Sequence, residues 1–542
     1  MKKFSIIILF ALCSFSVLSQ TSSGEVEEAE IVIRKDRKIT LPLATRNFEK
    51  IPQQPVRQVD SKQEYKFRNF DYSLSPLEPS FRTVNYSNQA VLREINSNYI
   101  KAGYGNYGTP YLESYLGSKK SETYLFNLYV RHRSSQNGPV FDENSGNGRT
   151  EAAIGGKYFN GDNTISGSLN YQGQRVHFYG YNPVLNLERE DIEQTFTRFA
   201  ANFGIEKTLN DEVLDYHLKT DWSFFRDNFL ARENKFYFDL GIGYQLNDEL
   251  RISLRSDAIL SKREDAIEVN RNFLNVEPRI TYNGNGFQIS GGVNYSGDNE
   301  VAGMNIYPAI RGTFSLASNL SIYGGYEGGV EMNTLESSIA ELPFLQANFD
   351  LRNTEKKSDI FGGATVTLTD ELRLNAGASL ATLSNLAFYT NSVGDSTRFN
   401  ALYDGGDTDR LNIFSELNYE DPGNLRSSLR FDFYNYSLST LAQAWHRPDF
   451  KVAFNNTFFP IDNLTVTADL YYIGGLVGQN GETTQVVELE DILDLNIGGR
   501  YQLNEQFGVF LQVNNLFGTE YQRYLNYASR GIQLLGGLSF SF

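Results

Sequence analysis

The chain lacks most of the residues that stabilise or anchor other exported proteins. It has one cysteine, Cys13, inside an apolar stretch that reads as a removable leader, so disulfides are excluded from the mature chain. No window holds 18 or more apolar residues, which leaves a closed β-barrel as the only way this sequence crosses a membrane. Histidine occurs four times, as His132, His177, His217 and His446, never at HxxxH or HExxH spacing, so a zinc site is not expected. Methionine occurs three times, and base is scarce relative to acid. Forty-nine Lys and Arg face 65 Asp and Glu, a net charge of −16, which argues against nucleic acid and against an anionic membrane surface. No nucleophile motif or phosphate loop follows a parallel strand. An enzyme is not expected, nor is a cofactor.

What is abundant is aromatic and small. Tyr (33), Phe (39) and Gly (46) are all frequent. The mean hydropathy of −0.39 does not oppose a membrane location, because barrel strands hide their apolar half in alternation. The first residues, "MKKFSIIILFALCSFSVLSQ", place Lys2 and Lys3 before an apolar run, with Val17 and Ser19 as small residues before a cut after Ser19. This predicts a secretory leader over 1–19. Cys13 suggests lipidation as an alternative, but Leu12 before it is not the small residue a lipobox needs.

One short pattern recurs. "YQLNDELRISLR" at 244–255 returns as "KTLNDEVLDYHL" at 207–218, "VTLTDELRLNAG" at 366–377, "FPIDNLTVTADL" at 459–470 and "YQLNEQFGVFLQ" at 501–512. Each polar turn leads into a run of period two: Leu250, Ile252 and Leu254 alternate with Arg251, Ser253 and Arg255. One face is apolar and the other polar, which is the signature of a strand. Ten short turns fall near 118–122, 160–163, 209–212, 246–249, 283–286, 317–319, 368–371, 421–424, 461–463 and 503–506. Longer polar connections such as 134–148, 333–347 and 477–491 lie between them. Short turns on one side and long loops on the other predict an all-β, transmembrane antiparallel barrel. Ten turns, with both chain ends on the turn side, give 22 strands, within a range of 18–22.

The last strand, "GIQLLGGLSFSF", carries Ile532, Leu534, Gly536, Leu538, Phe540 and Phe542 on one face. Leu538, Phe540 and the terminal Phe542 look like the signal read by the outer-membrane barrel-assembly machinery. The stretch "LQVNNLFGTEYQRYLNYASRGIQLLGGLSFSF" at 511–542 resembles the end of TonB-dependent outer-membrane receptors at Asn515, Leu516, Phe517, Tyr521 and Phe542, although Ser529-Arg530-Gly531 inverts the usual order of Gly and Arg. "AWHRPDFKVAFNNTFFPIDNLTVTADLYYIGG" at 444–475 resembles the hairpin before that ending. The resemblance is clear over about the last hundred residues. It implies a 22-stranded barrel in the outer membrane of a Gram-negative cell, in contact with its lipid, and a role in solute uptake.

In that family an N-terminal plug fills the barrel. Here residues 20–96, with no Gly after Gly24, precede the first strand of a barrel expected over 97–542. They read as a largely irregular segment, periplasmic or lying in the lumen. Glu30-Ile31-Val32-Ile33 weakly resembles the box that TonB engages; the other reading is an isolated β-prone run. Two functions stay open: solute transport coupled to TonB, or a structural or accessory subunit that binds another periplasmic or outer-membrane protein. A barrel of this width needs something in its lumen, whether 20–96, inward-folded loops, large side chains or a partner. Arg251, Arg255, Arg373, Asp215, His217, Lys219 and Asp221 fall on polar faces and are expected there, their charges either pairing across the interior or lining a solvated channel. Asp404, Asp407 and Asp409 suggest calcium in an outer loop but miss the EF-hand pattern, and a solvated acidic loop is the plainer reading. His177 and the aromatics of 177–183 and 433–445 read as part of an interfacial girdle.

Overall fold

The computed structural model describes residues 98–542, apart from 120, 122, 183, 185–186, 209–212, 299–303 and 482. The leader, the 20–96 segment and Glu30–Ile33 lie outside the described residues, as does the 209–212 turn.

Twenty-two antiparallel strands run in chain order from Tyr99–Gly105 to Gln533–Ser541. Each pairs with its neighbour, and the first pairs with the last, from Tyr99 opposite Ser541 to Gly105 opposite Leu535. The strand count read from the turns is therefore borne out. Strand length ranges from 7 residues at Tyr99–Gly105 to 17 at Glu268–Gly284.

The recurring turn has a specific local chemistry. At 246–249 the Asn247 side chain accepts from the backbone N–H groups of Glu249 (3.0 Å) and Leu250 (2.9 Å). Asn504 repeats this with Gln506 (2.9 Å) and Phe507 (2.8 Å), and Thr369 does so through its hydroxyl with Glu371 and Leu372. A short side-chain acceptor at the first turn position thus satisfies the N–H groups that the ending ladder leaves free. The acidic residue that follows joins the same turn at 368–371, where the Thr369 hydroxyl donates to the Glu371 carboxylate at 2.9 Å.

Loop lengths are less strictly segregated than the sequence suggests. The connections at 106–108, 228–231 and 265–267 on the loop end are as short as the turns opposite. The long ones are 136–146, 178–192, 332–353, 385–407, 438–449, 475–491 and 515–532.

Alternation sorts side chains as expected. On Leu214–Asp227, Leu214 and Trp222 are exposed outward, whereas Asp215, His217, Lys219 and Asp221 take the other parity and face the lumen. The outward exposed Leu, Ile, Phe and Tyr side chains recur around the whole wall. Such a belt is stable only against lipid. The barrel is closed by a tight seam. Gly103 and Gly537 are direct partners, and the Phe510 ring covers both. A Cβ on Gly537 would lie 2.2 Å from the Ala102 carbonyl oxygen and 2.6 Å from that ring. Leu538 and Phe542 face outward on this strand, and Phe540 stacks against Phe542 at 5.5 Å.

Gly537→Val should therefore block pairing of the first and last strands. The expected result is loss of the compact, heat-modifiable band on semi-native electrophoresis, whereas Gly499→Ala, with open space around its Cβ, should retain it.

Candidate functional site

The main apolar core of the described chain lies in the loops over one mouth of the barrel. The segment 333–347 read as a polar loop, yet Leu335, Ile339 and Leu342 are spaced as one helical stripe, Thr334 and Ser337 form a capping box, and Pro343 follows the end. The helix Leu335–Glu341 forms on those signals. It folds inward. Glu233 on the barrel wall accepts from the backbone N–H groups of Leu335 and Glu336, each at 3.2 Å, and the Glu336 carboxylate pairs with Arg198 (2.5 Å) and Lys235 (3.0 Å). Glu233 lies one residue below the loop end of Arg232–Gln245 and Arg198 five residues below that of Glu193–Lys207, so the helix start is anchored inside the barrel mouth.

Above it, four other loops pack together. The hairpin Ala387–Ser392 with Asp395–Tyr403 buries Phe388 and Phe399 completely. Phe399 exchanges backbone hydrogen bonds with the 344–346 segment at 2.9 Å. Tyr527 stacks on Phe344 with ring centroids 3.7 Å apart and meets Tyr179 at 4.7 Å, and its hydroxyl donates to the Thr397 carbonyl. Each such fully buried aromatic contributes about 1.5–3 kcal/mol, and the same core takes in Val176, Phe196 and Phe225 of the wall.

His446 joins three of these loops. Its Nδ1 lies 2.7 Å from the Tyr389 carbonyl, and its Nε2 lies 3.2 Å from the Leu525 N–H. The carbonyl only accepts and the N–H only donates, so Nδ1 carries the proton and Nε2 accepts. Burial, which outweighs the Tyr389 contact, holds the imidazole down to about 4. Beside it Arg447 donates to Glu341 (2.9 Å) and to the Ala387 carbonyl (3.0 Å).

Asp404 ties the hairpin base to a neighbouring loop. It accepts from the backbone N–H groups of Ser439 (2.6 Å), Thr440 (2.7 Å) and Leu441 (3.1 Å), and from the Thr440 hydroxyl (2.7 Å). Burial pushes this carboxyl up, but those donors prevail and hold it at about 2. Calcium, the lesser of the two readings of this loop, finds no ligand set here. Asp407 instead pairs with Lys357 and Ser384, and Asp409 accepts from Thr382; no group of three metal-ligating side chains exists among the described residues. The solvated acidic loop fits Asp407 and Asp409, which keep water-accessible carboxylates, but not Asp404, which is buried in its ring of donors.

The girdle assignment also changes. His177, Phe178, Tyr181 and Trp445 are buried in the cap, with His177 Nδ1 2.6 Å from the Gly146 carbonyl. The lumen charges do pair, but along the wall rather than across it. Arg251 meets Asp215 at 2.5 Å, His217 meets Asp239 at 3.3 Å, Lys219 meets Glu206 at 3.8 Å, and Asp221 meets Arg198 at 3.8 Å. Arg255 and Arg373 share that lumen parity. The Arg251–Asp215 pair passes directly over Gly243, where a Cβ would sit 2.1 Å from both side chains. One site was invisible in the sequence. Near the mouth, Arg133 stands directly opposite Arg149 on the lumen face. Arg149 is held by Glu151 at 2.6 Å, and Arg530 sits above Tyr107 with its Nη2 3.1 Å from the Asn147 side chain.

The architecture is that of a large closed transmembrane barrel with a folded cap in its mouth. No protein family matches the sequence, and no curated protein does either. Solved structures match the fold. The FrpB iron transporter from Neisseria meningitidis (F3-3 variant) aligns with TM-score 0.63 and 11% identity, over 82% of this chain and 81% of that one. The siderophore receptor PirA from Acinetobacter baumannii gives 0.62 and 10%, over 82% and 80%. The ferric-catecholate import receptor Fiu from K12 E. coli gives 0.60 and 11%, over 83% and 82%. The described chain therefore has the 22-strand barrel fold of these receptor structures.

Two predictions follow from the cap. Asp404→Asn places an N–H₂ group or a single acceptor before donors that need a full carboxylate, so hydrogen exchange should accelerate at 438–441 while the barrel strands stay protected. In the parent protein that latch is present above about pH 4 and is lost as pH falls toward 2, because the folded carboxyl is the more acidic. The His446 contact is complete above about pH 6.5 and is lost as pH falls toward 4, where protonated Nε2 can no longer accept. Exchange protection at Leu525 should fall over that interval in the parent but not in His446→Gln.

Proposed function

We propose that the protein is an outer-membrane receptor-type barrel that takes up a solute, its loop end facing outward and its turn end facing the periplasm. The observation that carries this reading is the closed 22-strand wall, shared over four fifths of the chain with an iron transporter, a siderophore receptor and a copper transporter. The cap supports it. A solute arriving from outside meets the packed loops first, and passage requires the helix Leu335–Glu341 and the hairpin at 387–403 to leave the mouth. Arg133 on the lumen face and Arg530 in the loop above it then offer contacts to an anionic solute, because Arg133 has no ion-pair partner among the described residues. Energy for that movement would come from TonB engaging Glu30, Ile31, Val32 and Ile33, and Leu538, Phe540 and Phe542 would direct assembly.

The test is uptake in cells grown under limitation for candidate metal–chelate and vitamin solutes. Deleting residues 25–35 should abolish uptake while the barrel still reaches the membrane, and Arg133→Gln should weaken binding of an anionic solute about ten-fold, as expected for one charge-assisted contact. Unchanged uptake after the deletion would refute TonB coupling. Intact binding in Arg133→Gln would remove that arginine from the site.

A further inference from the structure

The outer wall carries a second arrangement of like charge that solute uptake does not explain. Arg226 and Arg232 are direct partners in the ladder, both outward by parity and both exposed. Two cations held directly opposite destabilise a strand pair unless an anion lies with them. Arg232 has one, Glu264, which also binds Lys262 at 3.1 Å. Arg226 has no ion-pair or hydrogen-bond partner among the described residues.

Its other ladder partner is Thr197, and Arg175 stands opposite Thr195 one strand further on. Arg175 shares the outward parity, and its Nε is buried without a hydrogen-bond partner. Arginine, two threonines and two opposed arginines thus form a continuous row across four strands. Below the row on the same strands the outward side chains are apolar: Leu169, Phe199, Phe203, Phe236 and Phe238 are all exposed. Trp222, whose indole N–H donates to Asn234 at 2.8 Å, marks the upper edge of that belt. Arg226 lies four residues above it, roughly 9 Å along the membrane normal. That is headgroup depth.

We propose that Arg175, Thr195, Thr197, Arg226 and Arg232 bind the phosphate of a phosphorylated outer-leaflet lipid whose acyl chains lie on the apolar belt below. The row matches the headgroup in charge and the belt matches the chains, and a phosphate between Arg226 and Arg232 removes their repulsion. The inference rests on the loop end facing outward in a lipid bilayer, as in the function proposed above.

The test uses the full-length protein reconstituted in phosphatidylcholine vesicles. Lipid A, its dephosphorylated form and inorganic phosphate are the three probes, with bound lipid counted by native mass spectrometry. The parent should retain lipid A over the dephosphorylated form, and inorganic phosphate at equal concentration should not displace it. Arg226→Gln should lose about five-fold in retention and Arg226→Gln/Arg232→Gln about 25-fold, as expected for one cation each at an anionic surface. Lys357→Gln, a rim cation paired with Asp407, should retain lipid as the parent does. Arg226→Gln should also fold at least as stably as the parent, because it relieves the opposed charges, so lost binding cannot be ascribed to lost structure. Equal retention in the arginine variants, or equal loss in Lys357→Gln, would overturn the site. Displacement by inorganic phosphate would reduce it to a free-anion site and overturn the lipid assignment. A protein that does not insert into the vesicles would overturn the membrane reading itself, a result separable from the others.

Discussion

Everything in this molecule follows from the cost of an unpaired backbone group in hydrocarbon. With no helix among the described residues long and apolar enough to cross a membrane, the wall can meet lipid only if every strand has two neighbours, so the first strand must find the last. The Gly103–Gly537 pair under the Phe510 ring is where that requirement is met. The alternation, the short turns and the outward aromatic belt are consequences of a sheet that closes on itself with lipid on one face and polar side chains on the other.

The cap obeys a different rule. Its loops carry a conventional apolar core, with Phe388, Phe399 and Leu342 fully buried, and it is joined to the wall both by apolar contact, through Val176, Phe196 and Phe225 on the strands, and by polar contacts: Glu233 at the helix start, Arg198 and Lys235 on Glu336, and Arg271 on Asn353. Polar contacts to a wall exchange more readily for water than buried aromatics separate, so movement of the cap has to break its apolar contact with Phe196 and Phe225 as well, while the barrel ladder stays intact.

The barrel was legible because its signal is repeated 22 times. A period-two pattern and a side-chain-capped turn survive any single ambiguity, so the strand number came out right although the turns at 160–163, 283–286 and 317–319 are weak individually. The cap was not legible, for the converse reason. The spacing of Leu335, Ile339 and Leu342 is a single occurrence among polar residues, and Phe388 with Tyr389 reads as one more aromatic pair in an aromatic-rich chain. Nor does parity reveal partners: it placed Asp215 and Arg251 in the lumen, but only the absence of a side chain at Gly243 lets them meet over the intervening strand. The Asp404 donors come from 35 residues away in sequence, which no local pattern encodes.

Net charge misleads in the same way. A value of −16 argues against anionic surfaces only if the charge is spread evenly. In a barrel it is sorted twice, by parity into lumen and lipid faces and by height along each strand. Acid accumulates in turns and in wall pairs, whereas Arg175, Arg226 and Arg232 stand on the outward rim within four consecutive strands. What a neighbouring lipid meets is that rim, with Glu264 as its main compensation. A phosphate bound there would couple the wall beneath the loops 178–192 and 228–231 to the membrane. Asp227, on the strand of Arg226, already holds the short loop through the Phe229 and Ala231 N–H groups at 2.9 Å. The lipid and the cap would then act on one strand from its two faces, since Phe225, next to Arg226 in sequence, is part of the cap's core.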